Sequence, residues 1–100
     1  MTRDENLLLT LAEECAEVQQ SVSKILRFGK SCCNPAVPNM TNELDVLTEY
    51  YQLTAVMEML LDKGVLSQLD DLTITKIKVE KKHKVEHYLD VSHCLGRIAD

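Results

Sequence analysis

The sequence has no tryptophan, one phenylalanine and three tyrosines. Sheets draw heavily on aromatic and β-branched residues, so this scarcity argues against a β-rich fold. Three glycines and two prolines leave few places where a helix is forced to stop. No apolar run reaches membrane-spanning length and no signal peptide is recognisable, so a cytoplasmic protein off the membrane is expected. The four cysteines, Cys15, Cys32, Cys33 and Cys94, form no CxxC pair and no metal-finger spacing. Positive charge is in deficit: sixteen acids against eleven Lys and Arg give a net charge of −5. That excludes the broad positive field on which non-specific duplex binding depends.

What is present is helical. Leu8, Leu11, Cys15, Val18, Val22 and Ile25 recur at alternating spacings of three and four, a seam that predicts a helix over 4–28 with Cys15 in the core. Thr2 or Asp4 starts it and Gly29 ends it. Both prolines fall in 30–40, which reads as a loop. A second helix starts at Thr41 or Asn42 and ends before Gly64, with a seam of Val46, Tyr50, Leu53, Met57, Leu60 and Leu61. Residues 65–72 are expected to form a short helix or turn, and a third helix covers 73–95. The period-two opening "TITKIKV" reads as helix because no second strand exists to pair with it. One domain over 1–100 follows, all-α and small. At this length only about two-thirds of the unfolded surface is buried on folding, so further core is expected from oligomerisation.

Helical phase sorts the charged residues. At about 100° per residue, Glu14 lies about 20° outside the first seam and Glu17 about 60° further on, whereas Glu13 turns towards solvent. On the second helix Glu49 and Gln52 repeat that pair of phases, and Asp45 precedes Glu49 by one turn. If the seams pack together, Glu14, Glu17, Asp45 and Glu49 line one groove. Ionised carboxylates crowded beside a core repel one another, and a hard divalent cation such as Mg²⁺ removes that cost. Two solvated faces with i,i+4 partners explain the same spacing, because EExxE is common on ordinary helices. Five lysines in "KIKVEKKHK", residues 76–84, suit a small phosphorylated ligand, or simply a solvated face. His83 and His87 have the spacing of half a zinc site but no third ligand nearby. His93 and Cys94 adjoin without forming a recognisable base–nucleophile pair. Tyr50 follows the seam, and Tyr51 points outward, as at a subunit interface.

Together these stretches resemble the MazG-like, all-α NTP pyrophosphatase family, above all its short phage members. "LAEECAEVQQSVSKILRFG" is similar to that family's first helix, with Glu13, Glu14 and Glu17 as EExxE and Arg27–Gly29 as its usual end. "EYYQLTAVMEMLLDKG" is similar to the second, and "EKKHKVEHY" to the lysine-rich third. The resemblance spans about residues 6–89. It implies a helical bundle completed by oligomerisation, as a dimer or tetramer, around a nucleotide pocket. It implies Mg²⁺, or Mn²⁺, held by Glu14, Glu17 and Glu49, and hydrolysis of a nucleoside triphosphate to monophosphate and pyrophosphate. Lys81, Lys84 and Tyr88 would touch phosphate.

One departure matters. The acid of the family's ExxD pair falls on Gln52, a neutral amide that could meet substrate but brings no charge. A second register sets "NELD" on ExxD, which keeps Asp45 and puts Asn42 where the glutamate belongs. The second sits closer to the family's usual interval and the first fits the flanking apolar pattern better; the first is preferred, with Asp45 as replacement ligand. Two functions therefore stay open. One is an active pyrophosphohydrolase. The other is a catalytically impaired phage protein, needing no metal, that binds and sequesters a nucleotide such as a host immune signal. A helical interaction module with solvated acids is the plainest alternative.

Overall fold

The computed structural model describes residues 1–99 and is all-helical, with no β-strand among them. The chain falls into two compact units, one spanning Met1–Ser67 and the other running from Gln68 onward.

The first unit is a pair of packed helices, α1 (Arg3–Phe28) and α2 (Asn42–Asp62). A capping box starts α1: Thr2 Oγ1 accepts from the Glu5 amide (3.1 Å) and the Thr2 amide donates to Glu5 Oε2 (2.8 Å). Such a cap stabilises a helix by about 1 kcal/mol. Asp4 and Glu5 in the first turn and Arg27 in the last complement the helix dipole. Gly29 stops the helix at φ 92°, a conformation from which a side chain is sterically excluded. In the loop that follows, Asn34 Oδ1 accepts from the Ala36 amide (3.0 Å) and Cys33 forms an isolated bridge with Thr41. Thr41 Oγ1 then caps α2 through the Leu44 amide (3.2 Å). Gly64, at φ 71°, carries the chain out of α2.

The packed face of α1 is displaced from the expected seam. Leu8, Cys15 and Val22 are exposed, and their predecessors Leu7, Glu14 and Ser21 are half-buried or buried. Leu11, Val18 and Ile25 keep their expected inward position. The apolar stripe of α1 is wider than one neighbour needs, and α2 takes the flank that carries Ser21. That residue is 1% exposed and returns its hydroxyl to Val18 O (2.8 Å), so its burial leaves no polar atom unpaired. On α2, Leu60 is fully buried and Val46, Leu53, Val56 and Leu61 are half-buried. Tyr50 and Met57, expected in the seam, are exposed.

The second unit holds α3 (Asp71–Cys94). Asp70 caps it by accepting from the Thr73 amide (3.2 Å), and hydrogen bonding from the Thr73 side chain, then from its backbone, lowers the Asp70 carboxyl pKa. The helix begins two residues before the expected 73, because Asp70 supplies the cap. Residues 65–70 form no helix, so the expected short helix is absent there, and 71–72 already belong to α3. The stretch "TITKIKV" is helical throughout. None of the side chains of α3 is fully buried.

Candidate metal centre

Glu14 and Glu17 stand one turn apart on α1, and Glu49 reaches them from α2. One carboxylate oxygen of each lies within 4.8 Å of the others. The helical phase of Glu14 places it on the packed face itself, half-buried, while Glu17 is exposed beside it. Glu49 is half-buried opposite them. Glu14 Oε2 and Glu49 Oε2 are buried with no hydrogen-bond partner. Burial, then a hydrogen bond with Glu17, then the charges of Glu17, Asp45 and Glu14, raise the Glu49 carboxyl pKa above the ordinary glutamate value.

Proximity of acids alone does not make a metal site, but orphaned buried oxygens are rare in folded proteins and call for a reason. The donor set is all-oxygen and anionic, which suits a hard cation such as Mg²⁺ or Mn²⁺ and not a soft one. A cation there would give both orphaned oxygens a partner and offset the mutual repulsion. Glu14, Glu17 and Glu49 form the only such group of His, Cys, Asp or Glu among the described residues. Glu13, as its phase predicts, is exposed and outside it.

Asp45 is drawn elsewhere. Its Oδ2 lies 3.6 Å from Lys24 Nζ, and it acts on Glu49 through charge from one turn away. Asn42 is 8% exposed and its Nδ2 donates to Gly29 O (2.9 Å), so this amide ties the start of α2 to the end of α1. Its own amide N–H donates to Cys32 O (2.8 Å). Gln52 is exposed in a shallow depression with Thr48, Tyr51 and Ala55, and is not in the three-acid group.

Lys81, Lys84 and Tyr88 are exposed on α3, where the Tyr88 ring meets His87 edge-on at 5.3 Å. His83 and His87 gather no third ligand among the described residues. All four cysteines are free, and Tyr50 and Tyr51 pack edge to face at 5.1 Å. The clasp role of Asn42 and the Lys24–Asp45 pair were not read from the sequence. Lys24 was traceable, since it follows Glu17 by two turns at nearly the same helical phase. Asn42 was not, because its partner is a backbone carbonyl across a loop. No family model, no curated protein and no solved structure matches this chain, so the MazG-like resemblance stands on the residues quoted above.

Proposed function

We propose that this chain is a MazG-like nucleotide-binding protein that hydrolyses a nucleoside triphosphate to its monophosphate and pyrophosphate with Mg²⁺ or Mn²⁺. The observation that carries the proposal is the convergence of Glu14, Glu17 and Glu49 with two orphaned oxygens among them. These three residues hold the metal, and Asp45 joins them if it leaves Lys24. Bound there, the metal supplies positive charge against the phosphates and makes water in the site more acidic. Burial and the neighbouring acids raise the Glu49 carboxyl pKa, a cost of ionisation that a bound cation would offset. Lys81, Lys84 and Tyr88 keep the phosphate role that the resemblance implies, the lysines acting as point charges. The proposal includes a homo-oligomer, dimer or tetramer, in the cytoplasm of a phage-infected host. Exposed Leu8, Val22, Tyr50 and Met57 in the α1–α2 unit support the oligomer, since apolar surface of this kind marks interfaces. No helix among the described residues is long and apolar enough to cross a membrane.

Gln52 favours a second reading, sequestration without hydrolysis. The family's second acid is absent there, and the nearest substitute, Asp45, pairs with Lys24. The two readings separate in one assay: canonical and modified nucleoside triphosphates are incubated with the protein and Mg²⁺ or Mn²⁺. Release of pyrophosphate and monophosphate supports the enzyme. Intact nucleotide recovered from the denatured protein, with no turnover, supports sequestration and sinks the enzyme. Neither turnover nor binding refutes both. Under the enzyme reading Gln52→Glu raises turnover, because it returns the missing charge.

A further inference from the structure

The loop between α1 and α2, with the adjoining ends of both helices, lines a half-open cavity of about 450 Å³. Small-ligand pockets occupy roughly 300–1,000 Å³ and are mainly apolar with a few placed polar groups. This cavity has that character. Phe28 and Met40 contribute apolar surface, Cys32 and Cys33 bring two thiols, and Asn42 and the Lys24–Asp45 pair are its polar groups. Its rim is pinned by the Cys33–Thr41 bridge, by Asn42 N–H to Cys32 O, and by Glu43 N–H to Lys30 O (3.0 Å).

Three features say which part of a ligand belongs there. The cavity's one lysine, Lys24, lies 3.6 Å from Asp45, whose charge opposes its own and weakens its pull on a phosphate. Asn42 commits one N–H of its amide to Gly29 O, which leaves its second N–H and its amide oxygen, and Asp45 adds carboxylate oxygens. These acceptors suit a group that carries N–H or O–H donors and a flat apolar body that can lie against Phe28. The three carboxylates do not line the cavity but lie further along the same two helices. Asp45 lies one turn, about 6 Å, before Glu49 along α2, and Lys24 two turns, about 10 Å, beyond Glu17 along α1. That offset matches the distance from the base of a nucleotide to its outer phosphates.

We infer that this cavity receives the nucleoside end of the nucleotide whose phosphates meet Glu14, Glu17 and Glu49. The inference rests on the nucleotide function proposed above. The free cysteines provide the test, since exposed Cys32 and half-buried Cys33 line the cavity while Cys15 and Cys94, both exposed, line no part of it. Iodoacetamide labelling is followed at each cysteine by mass spectrometry, with each common deoxynucleoside triphosphate plus Mg²⁺, or with magnesium tripolyphosphate. A bound nucleotide at about ten times its Kd slows labelling of Cys32 and Cys33 by about tenfold and leaves Cys15 and Cys94 unchanged. Tripolyphosphate protects neither pair. Equal labelling of Cys32 and Cys33 with and without a nucleotide that dialysis shows to be bound overturns the inference and leaves the proposed function intact. If no nucleotide binds the wild-type protein, both fall. Val37→Trp supplies an independent check, because Val37 lines the cavity yet is 51% exposed, so the change is compatible with folding. It is expected to weaken nucleotide binding while leaving tripolyphosphate binding and the helical circular dichroism unchanged. Undiminished nucleotide affinity in that variant also overturns the inference.

Discussion

The two ends of the α1–α2 pair treat buried polar groups in opposite ways. At the loop end, Asn42 is nearly enclosed and bonds Gly29 O through its side chain and Cys32 O through its backbone. Further along the same pair, Glu14 and Glu49 each carry a buried oxygen with no partner, beside a third acid. A paired buried amide stabilises a fold, whereas an unpaired buried carboxylate oxygen costs free energy. The loop end is thus built for stability. The carboxylate end gives some stability up, and the proposed cation is what restores it.

The strongest way to break this contrast is to remove two acids at once. Glu14→Gln combined with Glu49→Gln is expected to abolish measurable Mg²⁺ binding by calorimetry, with the helices intact. Mg²⁺ binding as in the wild type would mean that the three carboxylates hold no cation. Next is Asn42→Ala, which leaves Gly29 O without its partner. A loss of about 1–3 kcal/mol in urea unfolding is expected. A smaller loss, within the noise of a surface change, would remove the structural role given to Asn42.

A pH series sharpens the comparison further. Glu49 binds its proton more tightly folded than unfolded. Stability linked to it is therefore fully present below the unfolded value and is lost as pH rises through the raised folded value. Glu49→Gln lacks that loss, so its stability advantage over the metal-free wild type grows from mildly acidic to neutral pH. Mg²⁺ at neutral pH should narrow the gap by stabilising only the wild type. A gap independent of pH would contradict the raised proton affinity. The smallest effect is expected from Glu13→Gln, which should change stability by no more than about 0.5 kcal/mol and Mg²⁺ binding not at all.

Much of this architecture is legible residue by residue. The three-and-four spacing of apolar residues, Gly29 after α1 and Thr41 before α2 each act through contacts within a few residues, so the three helices and the lack of a strand among the described residues could be read directly. The start of α3 was less legible, since Asp70 and Asp71 are adjacent and either could cap. The packed flank of α1 was not legible at all. Leu7 and Leu8 are equally apolar, Glu14 would ordinarily face water, and Ser21 carries no sign that it is the most deeply buried polar side chain. Helical phase did bring Glu14, Glu17 and Glu49 to one rim. It also set Asp45 with them, where Lys24 competes for it.

By itself the sequence determined the helices, most of their ends and the order of acids along each, because hydrogen bonds, caps and periodicity are local. Tertiary structure decided how far α1 is rotated against α2, since periodicity orders residues around one helix and says nothing of its turn relative to another. That rotation puts Ser21 inside and Cys15 out. It also draws Glu14 and Glu49 far enough from water that each keeps an oxygen without a partner.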